Sequence, residues 1–308
     1  MKIFNLPILL TVALSFLLGY SSIYLFDDYG WLVFIFLPLF IGFLPGYMTG
    51  RKTKLPFKRY RSLGFKTLFV ALLLLVVLAI EGIICIAMAL PLFLLLTLLG
   101  CYLAYKLQSK DKKLSGRSIA AIIALLATVT MSFDHVVEYK DLFPVETTVR
   151  VNAPIDQVWQ HVITFDSIAP PTDWVLKTGI SYPTHATIDG KGKDAIRYCN
   201  FTTGSFVEPI TNWQEPNLLQ FDVLEQPVPM TEVNPFHEVH PPHLEGYFES
   251  KRGQFELIPI SENETLLKGT TFYQLKIGPQ VYWKLWSDFI IHRIHKRVLN
   301  HIKQESEK

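Results

Sequence analysis

Cysteine is scarce in this sequence: three among 308 residues, at positions 85, 101 and 199. Their spacing matches neither a disulfide framework nor a zinc site. Cys85 and Cys101 lie in apolar runs, and Cys199 reads as a lone buried thiol. Charge is scarce as well, at 18% of residues with a net charge of +2. That leaves no basic footprint for nucleic acid, so no nucleic-acid partner is expected. The sequence has no P-loop and no G-x-G-x-x-G, which removes the common nucleotide cradles. It has no G-x-S-x-G nucleophile elbow. His237–Glu238 is followed by His240 one residue too early for an H-E-x-x-H zinc helix. Asp156, Asp166 and Asp173 show no paired spacing for acid–base work. No catalytic residue, metal site or cofactor is assigned.

What the chain has in abundance is apolar sequence. Half of its residues are hydrophobic and the mean hydropathy is +0.26, too high for an ordinary soluble protein. Phe4 to about Phe26 reads as a retained first span rather than a cleaved leader. Asp27, Asp28 and Gly30 make an acidic turn, and Trp31 to about Met48 is the second span. From Thr67 to Tyr105 the one charge is Glu81. As a single helix that stretch would run about 58 Å, against about 30 Å of hydrocarbon, so it must be two spans. The break is placed in Glu81–Pro91, where Glu81, Gly82 and Pro91 end helices. Glu81 has two readings: a residue of the outer turn, or a functional carboxylate inside the membrane. Ser118 to about Phe133 is the fifth span. The spans are read as carrying no glycine packing motif, no polar chain and no paired broken helices, hence as an anchor.

Residues 1–134 hold 13 Lys and Arg against 5 Asp and Glu. The excess sits in two loops, one with Arg51, Lys52, Lys54, Lys58, Arg59, Arg61 and Lys66, the other with Lys106, Lys110, Lys112, Lys113 and Arg117. The positive-inside rule makes both cytoplasmic. Five spans that start inside end outside. The expectation is an integral, multi-pass membrane protein whose C-terminal domain is extracytoplasmic (periplasmic in a Gram-negative cell). A miscounted span would move it to the cytoplasm.

The expected domains are a transmembrane helical region over 1–134, a linker over 135–144 and a second domain over 145–305. Val145, Thr147, Val149 and Val151 alternate as a first strand. A helix follows with Ile155, Val158, Trp159, Val162 and Ile163 on one side. About six antiparallel strands come next: 185–190, 195–203, 206–213, 218–225, 247–260 and 265–277. A proline-rich loop, Pro227 to His243, separates the fourth from the fifth. A helix from about Pro279 to Lys303 closes the domain. Its predicted apolar row is Trp286, Ile290, Ile294, Val298 and Ile302, widened by Leu285 and Phe289.

That order, with NAPIDQVW after the first strand, WQEPNLLQFDV in mid-sheet and the amphipathic last helix, resembles the START/Bet v 1-like superfamily. The superfamily is also described as SRPBCC, or polyketide cyclase/dehydrase and lipid transport. The resemblance spans residues 144–304. It implies an α+β chain: about five transmembrane helices, then a helix-grip domain in which an antiparallel sheet wraps a long C-terminal helix around a hydrophobic cavity. The resemblance also implies binding of lipids, sterols or aromatic compounds; enzymes are a minority.

The functional expectation is membrane-anchored binding or transfer of a lipid or other hydrophobic small molecule. The alternatives are a cyclase/dehydrase-type enzyme on an apolar substrate, and a non-catalytic sensory or assembly module. The expected lining is Phe221, Tyr273, Leu275, Trp286, Phe289 and Ile290. His237, His240 and His243 stand at the mouth, read also as metal ligands or as parts of a plain structural loop. Arg252 has an inward reading, holding an anionic headgroup, and an outward, solvated one. His292 and His295 read as solvated helix residues, or as donors into the cavity. The partners expected are this ligand and the bilayer; the oligomeric state is not legible.

Overall fold

The computed structural model describes residues 5–26, 29–51, 55–109, 115–136 and 142–308. Asp27, Asp28, Lys52, Lys54, Lys110, Lys112, Lys113 and residues 137–141 of the expected linker lie outside the described residues. Two compact units form. The first comprises Met1–Glu138 with Glu232–Pro241 and Ile277–Pro279. The second comprises Tyr139–Thr231, Pro242–Lys276 and Gln280–Lys308.

The first unit is helical. Helix α1 (Leu6–Tyr20) starts where the Asn5 side chain accepts from the Ile8 amide at 3.2 Å, and it continues as a π-helical stretch, Ser21–Leu25. A second π-helical stretch, Leu32–Phe36, runs into α2 (Leu37–Gly50). Helices α3 (Phe57–Val77), α4 (Ile83–Ser109) and α5 (Gly116–Val136) follow. Five of these helical stretches are long and apolar enough to cross a membrane. Phe69, Leu95 and Leu125 on these helices are each about two-thirds exposed.

The division between α3 and α4 falls at the start of the expected interval, in residues 78–82. Helix α3 closes on Ala79, which adopts φ +53°, while Ala79 and Ile80 amides donate to Val76 and Leu75 carbonyls. Pro91 sits inside α4 instead of ending a helix. Glu81 lies in the α3–α4 turn and accepts a hydrogen bond from Tyr29. The segment Glu232–Pro241 closes this same turn. Glu232 accepts from the Ile84 and Cys85 amides at 3.2 and 3.0 Å, serving the first free amides of α4 as a cap would. Asn234 Nδ2 donates to the Val76 carbonyl at 2.9 Å.

The reading that the spans lack a glycine motif is corrected by Gly42, Gly46 and Gly50, which recur every four residues on α2. A Cβ on Gly42 would stand 2.1 Å from the Thr97 carbonyl oxygen of α4, and one on Gly46 2.7 Å from the Tyr60 ring of α3. Gly100 of α4 approaches the Leu39 carbonyl equally closely. Side chains this small let helix backbones touch. Gly42→Ala is therefore expected to cost about 1–3 kcal/mol through overpacking. Thermal unfolding in detergent micelles checks it; an unchanged midpoint would show that α2 and α4 do not meet there.

The second unit is one seven-stranded antiparallel sheet in the order β1-β7-β6-β5-β4-β3-β2. The strands are β1 (Phe143–Val151), β2 (Pro183–Asp189), β3 (Ile196–Phe201), β4 (Gly204–Gln214), β5 (Leu218–Asp222), β6 (Phe248–Ser261) and β7 (Glu264–Leu275). Helix α6 (Ile155–Ile163) follows β1, and α7 (Gln280–Ser306) closes the unit. Consecutive strands from β2 to β7 pair with their neighbours, and β1 returns to pair β7 from Phe143↔Tyr273 to Val151↔Thr265. The core joins Val158, Trp159 and Val162 of α6, Leu219, Leu257 and Leu267 of the sheet, and Val298, Leu299 and Ile302 of α7.

Candidate functional site

The strand period of two decides which side chains meet α7. On β7, Leu267, Gly269, Thr271, Tyr273 and Leu275 share the face turned to the helix. At the C-terminal half of α7 contact is direct: a Cβ on Gly269 would lie 3.4 Å from a Leu299 methyl. Here the interior is solid, with Trp159, Leu299 and Ile302 at most 1% exposed.

Beside that packed end stands a buried cation. Arg197 of β3 is ion-paired with Glu208, its cross-strand partner on β4. Its Nε donates to the Ile163 carbonyl at 3.2 Å. Three rings surround the guanidinium: Phe165, Phe221 and Phe255, at 5.5–5.7 Å from ring centroids. The Phe221 ring has room because residue 253 is glycine; a Cβ there would lie 2.5 Å from it. The sequence signal was present, since Arg197 alternates onto the same face as Cys199 and Phe201. The need for an acid opposite it was not drawn from the sequence.

The middle of α7 presents a polar stripe to the sheet. Thr147 Oγ1 of β1 lies 2.7 Å from His292 Nδ1 and 3.1 Å from His295 Nδ1. The other His295 nitrogen, Nε2, lies 2.8 Å from Thr271 Oγ1 of β7. One hydroxyl–imidazole chain thus runs His292–Thr147–His295–Thr271. Burial, then the neighbouring His292, pushes the His295 imidazole down to about 4, so it is neutral at physiological pH. One turn nearer the N-terminus of α7, Tyr273 Oη donates to Asp288 Oδ1 at 2.7 Å, and Lys284 pairs with the same carboxylate. Phe143 and Phe248 rings flank Tyr273 at 5.6 and 5.3 Å.

The predicted apolar row holds at Val298 and Ile302 and fails at Trp286, Ile290 and Ile294. Trp283, Ile291, Val298, Leu299 and Ile302 are the buried apolar residues of α7. Ile290 and Ile294 instead pack against Val175, Leu176 and Ile180 of the connection between α6 and β2. That connection is tied to the β5–β6 connection by an Ile180↔Met230 bridge and by Ser181 N donating to the Pro229 carbonyl at 3.0 Å.

The sequence-derived candidates fall into separate places. Tyr273 and Leu275 are buried on the α7 side of β7, and Phe221 is buried beside Arg197. Trp286 is half-buried, with its ring 6.1 Å from that of Phe289, and Phe289 is 37% exposed. Arg252 is exposed and lies over the Phe272 ring at 4.4 Å, on the face turned away from α7. His237 and His240 are exposed and belong to Glu232–Pro241 of the first unit, while His243 is in a short 3-10 turn, Pro242–Leu244, of the second. The three are not brought together as one group of the second unit. The Thr147, Thr271 and Asp288 partners went unnoticed, because nothing in the local sequence says which helix face meets which strand.

No protein-family model and no curated protein matches the chain. Among solved structures it is similar to norcoclaurine synthase from Thalictrum flavum, a point mutant in complex with a transition-state analogue. That match has 14% identity and a TM-score of 0.36, and covers 55% of this chain and 96% of that one. Zhui aromatase/cyclase from Streptomyces sp. R1128 is similar at 14% identity and a TM-score of 0.34, covering 54% and 94%. A protein from Nitrosospira multiformis is similar at 16% identity and a TM-score of 0.35, covering 53% and 95%. Likeness at this level transfers no activity. By its own strand order, register and the seat of α7, the second unit is an α+β helix-grip domain.

Proposed function

We propose that this chain is a membrane-anchored binder of a hydrophobic small molecule, a lipid or similar compound, held between α7 and the sheet. The observation that carries the reading is the polar stripe of α7 set in an apolar surround. His295, Thr147, Thr271 and the Tyr273–Asp288 pair are few, fixed and hydrogen-bonded. Sites for apolar ligands use such groups to orient a guest whose affinity comes from desolvation. The proposed walls are Tyr273 and Leu275 of β7, beside the polar groups of α7. The five apolar helices serve as the anchor and keep ligand at high effective concentration. The basic residues at the start of α3, the end of α4 and the start of α5 support an extracytoplasmic second unit, which a C-terminal reporter fusion tests.

The binding reading is tested with a photoreactive fatty-acyl phospholipid added to the full chain in lipid vesicles. Cross-linked peptides from β7 and from residues 280–295 are expected. Cross-links confined to the five spans would overturn the reading.

One observation favours a second reading, acid–base chemistry on a bound apolar substrate. His295 is a neutral imidazole inside the domain, on the sheet side of α7. That reading expects bound compounds to change mass on incubation and His295→Gln to stop the change while probe labelling persists.

A further inference from the structure

Helix α7 has a second apolar face, open at Val281 and Leu285 and partly covered at Phe289. Val281, Leu285 and Phe289 stand at i, i+4 and i+8, so they form one ridge. Val281 is 80% exposed and Leu285 67%. Trp174, 70% exposed, follows Asp173 in the chain. Its neighbour Asp173 pairs with Arg293, whose guanidinium lies 4.2 Å from the Phe289 ring centroid. The acids at the patch are engaged: Asp173 by Arg293 and Asp288 by Lys284. Lys177 and Lys296 are exposed, and among the described residues neither is ion-paired.

We infer that this patch is an interfacial membrane contact, seated in the boundary between headgroups and acyl chains. Its composition is that of such contacts: aliphatic side chains, an aromatic ring, and a basic surround for lipid phosphates. A soluble surface rarely leaves residues of this size exposed together without a partner. Five helices apolar enough to span a membrane give this chain a bilayer as its standing neighbour. The patch also borders the α6–β2 connection, through Asp173 and Arg293, near where Ile290 and Ile294 meet Val175, Leu176 and Ile180. The inference rests on the anchoring part of the proposed function, and the test separates the two.

Spin labels are placed singly at Val281→Cys and Leu285→Cys in the full chain, with Cys85→Ala removing the half-buried native thiol. Cys101 and Cys199 are buried and label slowly. Ile258→Cys, on an exposed edge of β6, serves as the aqueous control, and Leu95→Cys, exposed on α4, as the lipid control. The protein is reconstituted in phosphatidylcholine–phosphatidylglycerol vesicles, and relaxation by oxygen is compared with relaxation by a water-soluble nickel chelate. The expected result is a several-fold higher oxygen-to-nickel ratio at 281 and 285 than at 258, approaching that at 95. Ratios at 281 and 285 equal to that at 258, with 95 in lipid, overturn the inference and leave the anchor standing. Labels at 281 and 285 shielded from both reagents mean that protein covers the patch, which also overturns it. An aqueous ratio at 95 removes the anchor, and the inference with it.

Discussion

Arg197→Met is expected to destabilise the second unit by about 3–5 kcal/mol, because it leaves the Glu208 carboxylate buried without its counter-charge. Glu208→Leu should cost a similar amount by stranding the guanidinium. The double change should be close to neutral: two apolar side chains of similar volume need no hydration to be replaced, and Phe165, Phe221 and Phe255 already line the site. This non-additivity separates a buried pair from two independent surface charges. Cys199, buried two residues from Arg197, supplies the readout. Burial, then the Glu208 charge, pushes its thiol up to about 12, so it stays unreactive while the unit is folded. Pulsed thiol labelling along a urea series, with Cys199 quantified by peptide mass, gives the unfolding midpoint. Single variants that unfold at the wild-type midpoint would show that the pair is solvated.

The second large effect is acid lability. His295 is near 6.5 in an unfolded chain and about 4 in the folded one, where burial and then His292 disfavour its charge. The unfolded state therefore binds the extra proton across this interval, and stability rises with pH there. The stabilisation is complete above about pH 6.5 and is lost as pH falls toward 4, by roughly 3 kcal/mol in total. Burial shifts His301 in the same direction and adds to the slope. Protonation would also force one nitrogen of the Thr147–His295–Thr271 chain to give up an accepted hydrogen bond. His295→Gln keeps hydrogen-bonding capacity without titrating, so its stability should be flatter between pH 7 and 5 than that of the parent. Equal slopes for the two proteins would show that His295 is not held neutral by the fold.

Hydropathy, charge placement and element order were open to reading from the residues. A span must satisfy its own backbone in hydrocarbon, so composition over about 20 residues suffices to find it. The alternation of Val145, Thr147, Val149 and Val151 and the short polar turns likewise announce antiparallel strands, and a long final helix has little to cover but that sheet. Site chemistry was less legible. Helix α7 carries apolar residues on several faces, so periodicity chose the row through Ile290 and Ile294. The sheet instead received Asp288, His292, His295 and Leu299, because Tyr273, Thr147, Thr271 and Gly269 stood ready to pair or to make room.

By itself, the sequence determined that the chain has five apolar stretches and an α+β domain of the helix-grip order, since both depend on patterns local to a few turns or strands. Tertiary structure alone decided that Arg197 meets Glu208, that Gly42 and Gly100 admit neighbouring backbones, and that Glu232 caps a helix 148 residues away. Those pairings join residues far apart in the chain. Their energies come from desolvation and close contact, which exist only once the partners have met.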